Sequence, residues 1–202
     1  ETLSANVMEL PHLTALELPD IPLSESFVQL MKTSQLTTVP PILLKQPDMI
    51  PLVAEVLPAM SHLRELEYGF ASTLDLFTGN EYPKDTPWML DLLRTCTQLT
   101  RVHLKLYDHQ FPSFVPALHG LPDLADLRLC EQNRKNSPPF ADLYFPHLTR
   151  FESDMPIRQA DLTAFGAWLE SHPGLEELDL TFETLECYLK ISNVLCKCPA
   201  LT

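Results

Sequence analysis

The chain has 202 residues, 45% of them hydrophobic, and carries 27 acidic against 14 basic side chains for a formal net charge of −13. That length holds one domain or at most two, and the charge argues against a nucleic-acid backbone as the main ligand. No run of about 18 apolar residues occurs, so no membrane-spanning helix is expected.

Taken in order, residues 1–10 read as the end of a crossover helix, with Leu3, Val7 and Leu10 on one face. Residues 13–18, Leu13-Thr-Ala-Leu16-Glu-Leu18, read as a strand, and Ser24 suits the N-cap of a helix through Phe27, Leu30 and Met31. A weak strand at 36–39 is shortened by Pro40-Pro41. A helix over 48–57 follows, with Pro51 near its first turn and Pro58 at its end. Residues 63–68 form a strong strand. The insert 69–85 carries Phe70, Leu74, Leu76, Phe77 and Tyr82, and reads as an extra helix packed on the rim, with a binding loop as the alternative. Thr86 and Pro87 open the clearest helix of the chain, continued by Trp88, Leu92 and Leu93.

Residues 99–106 read as a strand, 111–118 as a short turn of helix interrupted by Pro116, and 124–129 as a strand. The polar stretch 131–139 reads as an exposed loop, and 140–145 leaves little room for a helix. A strand at 148–151 lacks its third leucine, with Ser153 in that place. An amphipathic helix over 161–170 runs through Leu162, Phe165, Trp168 and Leu169 and stops at His172-Pro173-Gly174. A strand at 175–180 and a helix at 184–195 complete the chain.

Every strand in this series shares the pattern Leu-x-x-Leu-x-Leu or a degraded form of it. The first leucines are residues 13, 36, 63, 99, 124, 148, 175 and 201, at intervals of 23, 27, 36, 25, 24, 27 and 26. The last two leucines of a unit alternate, so both face one side of a strand. One such unit cannot bury that side alone, but stacked parallel strands with helical crossovers can. The period predicts an α/β leucine-rich-repeat solenoid, a horseshoe with a parallel β-sheet on its concave face and helices on its convex face. The prediction is a single domain over residues 1–202 of about seven repeats. The pattern is already under way near Glu1, where no signal peptide is legible, and a new copy opens at Leu201, so a fragment of a longer chain is expected.

Five cysteines, Cys96, Cys130, Cys187, Cys196 and Cys198, form no paired framework and point to a reducing compartment, the cytoplasm or nucleus. Cys196-Lys-Cys198 has no second cluster at ligand spacing, so Cys96 and Cys198 are read as small packing residues before a strand, and no metal or cofactor is expected.

The phrases Phe145-Pro-His-Leu-Thr-Arg-Phe, His172-Pro-Gly-Leu-Glu-Glu-Leu-Asp-Leu and Cys198-Pro-Ala-Leu-Thr resemble the leucine-rich repeats of fungal F-box proteins. In that family a Cys-Pro-x-Leu or His-Pro-x-Leu turn leads each helix into the next strand. The resemblance implies the substrate-recognition repeats of a cullin-based ubiquitin ligase, docked to its adaptor through an F-box. That F-box would lie outside this chain, since only a dozen residues precede the first repeat.

No nucleophile elbow, zinc-protease helix or Gly-rich phosphate loop is present, and the chain has five glycines. Asp108-His109 reads as a polar turn. His12, His62, His147 and His172 recur just before strands and are read as one repeat position. The remaining signal is the concave face, where residues flanking the middle leucine point away from the core. Arg101, His103, Lys105, Arg128 and Arg150 are expected to form a basic patch for a negatively charged partner segment, between acidic strands bearing Glu65, Glu67, Glu177 and Asp179. The competing reading is a face that neutralises itself through cross-strand pairs such as Arg128–Glu152. The expected function is a non-catalytic protein-binding module, with no nucleic acid or membrane as partner. A free-standing regulator that masks an enzyme, a structural scaffold, or an activity grafted onto the 69–85 or 131–139 loops are the alternatives.

Overall fold

The computed structural model of the chain describes residues 13–15, 25–38, 50–69, 87–107, 110–131, 136–196, 198 and 200–201. The elements expected at 1–10, 16–18 and 70–85, the caps Ser24 and Thr86, and the Asp108-His109 pair lie outside these residues. Two compact units result, Glu1–Leu99 and Thr100–Thr202.

In the first unit, helices α1 (Glu25–Met31), α2 (Ile50–Val56) and α3 (Pro87–Thr95) pack in succession, α1 on α2 and α2 on α3. Met89, Leu92 and Leu93 recur at helical spacing on one face of α3, and each is at most 1% exposed. Val28, Met31, Val53 and Val56 are buried to the same degree on α1 and α2. Strand β1 spans Glu65–Gly69. The strand expected at 36–39 is reduced, within its described residues, to a single parallel bridge, Thr38 to Glu65. Pro58 does not end its helix at once but enters a 3-10 turn, Leu57–Ala59, where a proline near the start has no N–H that the turn requires.

In the second unit, strands β2 (Arg101–Leu106), β3 (Asp126–Glu131), β4 (Arg150–Ile157) and β5 (Glu177–Phe182) lie parallel and in sequence order. The connections carry helix α4 (Phe111–Leu118), a 3-10 turn at Phe140–Asp142, and helix α5 (Leu162–Ser171). Helix α6 (Leu185–Leu195) follows β5, with the Thr184 side chain accepting the Cys187 N–H as its cap. The architecture is thus α/β with parallel strands and intervening helices. The expected closed horseshoe is a finer statement than these elements make. Helix α4 continues through Pro116, against expectation. The bond that Pro116 cannot donate would reach the carbonyl of Pro112, and both prolines lie on the exposed side of the helix.

The strands share one offset from the sequence pattern. Each begins two residues after the first leucine of its motif. That leucine sits in a tight turn instead, its N–H bonded three residues back: Leu63 to Met60, Leu99 to Cys96, Leu124 to Leu121, Leu148 to Phe145 and Leu175 to His172. The chain then receives two hydrogen bonds on one carbonyl as the next strand starts. Thr100 O accepts from Ala125 and Asp126, Ala125 O from Thr149 and Arg150, and Thr149 O from Glu176 and Glu177. These bonds lock the register, so the side-chain alternation of each strand falls in step with its neighbour.

The ladder side chains Val102, Leu104, Leu127, Leu129 and Phe151 are all 0% exposed. The equivalent Leu178 and Leu180 on β5 are half-buried, because the described sheet covers β5 on one side only. Leu127→Ala is therefore expected to lose about 2–5 kcal/mol of stability. Leu178→Ala is expected to lose less than half as much in the same urea titration; equal losses would contradict the difference in cover.

Candidate functional site on the sheet face

The second side of the β2–β5 sheet is built by the same alternation that buries the leucines. The parallel register sets its side chains in rows. One row runs Arg101, Asp126, Arg150, Glu177, and the next runs His103, Arg128, Glu152, Asp179. Lys105 stands beside Cys130 in a third. The sheet thus brings together seven of the expected site residues, Arg101, His103, Lys105, Arg128, Arg150, Glu177 and Asp179, on neighbouring strands. Glu65 and Glu67 lie on β1 in the first unit, Glu65 half-buried and Glu67 exposed.

The electrostatics differ from a bare basic patch. Arg101 Nε lies 3.1 Å from Asp126 Oδ2, Arg128 Nε 2.9 Å from Glu152 Oε1, and Arg150 Nη1 3.3 Å from Glu177 Oε2. A second arginine reaches Glu152, with Arg150 Nη2 4.0 Å from its Oε2. All three arginines are therefore held against carboxylates, and the first row alternates in sign across four strands. Each such half-exposed pair is worth about 0.2–1 kcal/mol, so the pairs fix geometry more than they stabilise. Lys105 and Asp179 make no ion pair among the described residues. The face is an ordered, mixed-charge lattice on a rigid support.

Two features of β3 are not apparent from the motif. Cys130 occupies an outward strand position but is buried, its Sγ 3.7 Å from His103 Nε2. Burial, reinforced by the Asp154 carboxylate, pushes its thiol pKa up, which holds the sulfur in its protonated, weakly nucleophilic form. Glu131, expected in an exposed loop, is 1% exposed. Its carboxylate accepts from Asn136 N at 2.8 Å and Asn136 Nδ2 at 3.2 Å, while its own N–H donates to Asp154 Oδ1 at 3.0 Å. Burial also pushes the Cys96 thiol up to about 11, in keeping with its packing position. Among the described residues no cluster of three or more His, Cys, Asp or Glu side chains could hold a metal.

The histidines separate into two kinds. His62 and His147 stand one residue before a motif leucine and are exposed. His172 stands three before, where the other units place Met60, Cys96, Leu121 and Phe145, all buried. The expectation that His172 shares the position of His62 and His147 is therefore corrected. It is 4% exposed, with Nδ1–H donating to Trp168 O at 2.7 Å and Nε2 accepting the Phe145 N–H at 3.1 Å. Away from the sheet face, a groove of about 640 Å³ runs past Phe111, Val115, Pro116, Tyr144 and Met155. Two of its polar groups are already engaged, as His119 Nε2 bonds Asp142 O and Ser137 Oγ bonds Asp161.

No family model matches the chain, and no curated protein matches it. Among solved structures it is similar to the tropomodulin C-terminal domain from Caenorhabditis elegans, at 11% identity and a TM-score of 0.41, covering 86% of this chain and 89% of that one. It is also similar to Leiomodin-1 Actin-Binding Site 2, at 12% identity and a TM-score of 0.42, covering 86% of each chain. With no family model and no curated protein to support it, the resemblance to fungal F-box leucine-rich repeats is withdrawn, together with the ubiquitin-ligase role and adaptor it implied. The physical reason lies in the motif itself. The Phe145-Pro-His-Leu148 and His172-Pro-Gly-Leu175 phrases supply the bonded turn and the buried leucine that precede a parallel strand here, so these residues report a local fold requirement and not a lineage.

Proposed function

We propose that the chain is a non-catalytic protein-binding module, with residues 1–202 acting as one domain of stacked β-turn-helix units and its partner seated on the outward face of the β2–β5 sheet. The carrying observation is the charge lattice. Arg101, Arg128, Arg150, Glu152 and Glu177 are held in fixed rows by a backbone register that ordering by a partner need not create. A partner segment of mixed charge meets arginines already oriented by Asp126, Glu152 and Glu177, so little side-chain entropy is lost on contact. Lys105 and Asp179 offer the direct ionic contacts. The protonated Cys130 thiol and the engaged state of His172 favour binding over nucleophilic or acid–base chemistry.

The reading is tested by affinity purification of the chain from its own cells, comparing wild type with an Arg101→Glu, Arg128→Glu double variant. Reversal places like charges beside Asp126 and Glu152, and it is expected to weaken the stoichiometric partner by about tenfold or more while leaving the fold intact by circular dichroism. Undiminished partner recovery by a folded double variant would remove the sheet face as the binding surface.

A further inference from the structure

The groove beside Tyr144 lies inside the second unit, lined by two consecutive crossovers, helix α4 and the segment around the 3-10 turn Phe140–Asp142. Its floor is apolar, built from Phe111, Val115 and Met155, each at most 5% exposed. Tyr144 stands at its rim with 58% of its surface exposed, and the ring rests 5.5 Å from the buried His172, which holds it in place. The polar groups of the groove are one-sided. Donors from three of its residues are spent within the chain: the Asn136 N–H and Nδ2 on Glu131, the Ser137 hydroxyl between Asp161 and Pro156 O, and the His119 Nε2–H on Asp142 O. Two acceptors are open. The exposed Asp142 carboxylate has no hydrogen bond or ion pair among the described residues. The Pro112 carbonyl lacks its α-helical donor, because Pro116 has no N–H to give it.

That balance selects the occupant. Open acceptors, one of them charged, call for a cation rich in N–H donors, and Tyr144, two residues from Asp142, offers such a cation an aromatic surface. A guanidinium meets both demands, because it is planar, stacks on aromatic rings and grips a carboxylate through paired N–H groups. The net charge of −13 draws a basic segment toward this chain. A cavity of about 640 Å³ with an apolar floor holds more than one side chain, so the arginine comes with aliphatic neighbours. We infer that this groove binds an arginine-bearing segment of a partner protein, with the guanidinium on Asp142 and Tyr144 and the flanking aliphatic side chains on Phe111, Val115 and Met155. The groove is separate from the sheet face and does not rest on the function proposed there.

The peptide fluorescein-Pro-Leu-Arg-Leu-Pro-amide serves as the probe, with citrulline or lysine in place of arginine as controls. By fluorescence anisotropy the arginine peptide is expected to bind the full chain saturably, the neutral citrulline peptide about tenfold more weakly and the lysine peptide several-fold more weakly. Asp142→Asn, at an exposed site, is expected to abolish the preference for arginine over citrulline, and Tyr144→Ala to weaken the arginine peptide several-fold. Methyl-labelled methionine gives a local readout by NMR: the Met155 signal, assigned with Met155→Leu, is expected to shift on binding. The Arg101→Glu, Arg128→Glu variant is expected to keep the Asp142-dependent preference, which separates this groove from the sheet face. The inference is overturned by equal binding of the arginine and citrulline peptides, by binding of neither, by a preference that survives Asp142→Asn, by a Met155 signal that stays in place, by acetylarginine amide alone binding as tightly as the peptide, or by sedimentation showing dimers that Asp142→Asn dissolves.

Discussion

Phe151→Ala is expected to be among the most destabilising single substitutions in the second unit, costing about 3–5 kcal/mol. Phe151 is 0% exposed and sits where the sheet meets the helix layer. Its ring lies 4.9 Å from Trp168 of α5 and 6.1 Å from Phe140 of the 3-10 turn, and Phe140 in turn lies 4.8 Å from Phe165. Truncation removes the ring that β4 contributes to this cluster and leaves a cavity beside Phe140 and Trp168, neither of which can close it without leaving its own contacts. The loss therefore adds the cavity to the transfer term. In a thermal melt the variant is expected to fall roughly 6–20 °C below wild type, taking about 2–4 °C per kcal/mol for a chain of this size. A shift of a degree or less would mean that the cluster does not hold β4 against α5.

His172→Leu is expected to cost about 1–3 kcal/mol near neutral pH and to change how stability depends on acid. The substitution strips the Phe145 N–H of its acceptor in a buried setting, and leucine offers none in return. The bonds of His172 also fix its protonation. Nδ1 must carry the hydrogen given to Trp168 O, and Nε2 must be bare to accept from Phe145, so the folded state needs the neutral ring. Burial lowers its pKa below the ordinary 6.5, against an opposing contribution from the Trp168 carbonyl. The unfolded chain then binds the proton more readily than the folded one. The contribution is fully present above pH 6.5 and is lost as pH falls below 6.5 toward the folded pKa, at no more than about 1.4 kcal/mol per pH unit. Urea titrations between pH 8 and pH 5 are expected to show this decline in wild type and a shallower one in His172→Leu. Parallel pH profiles would show that His172 does not titrate against folding.

Much of the second unit was legible from leucine spacing alone. The alternation that buries Val102, Leu104, Leu127 and Leu129 also assigns Arg101, His103, Arg128 and Glu152 to the other face, and the period sets parallel strands side by side. Even the Arg128–Glu152 pair follows from counting positions across units. Less visible was β4, expected as the weak strand 148–151 and found, at Arg150–Ile157, as the longest strand among the described residues. Its missing leucine matters little because the Ser153 hydroxyl accepts the Met155 N–H, and a register shift after Ser153 lets Pro156 and Ile157 pair with Thr181 and Phe182. No leucine count contains that irregularity. The family phrases misled because turn-forming residues before a strand are demanded by geometry.

The sequence by itself determined the local choices: where strands and helices alternate, which strand residues are apolar, and which charges share a row. Those depend on side-chain period and turn chemistry, which are properties of a few adjacent residues. The tertiary structure decided what each repeated residue experiences. Leu127 and Leu178 occupy the same place in identical motifs, yet one is sealed and the other half-open, because β3 has described neighbours on both sides and β5 on one. His172 stands where other units keep Met60 or Cys96, and becomes a bonded neutral ring only because Trp168 and Phe145 converge on it. Burial and charge state are sums over neighbours distant in sequence, and a motif that repeats along the chain carries no record of which neighbours it will have.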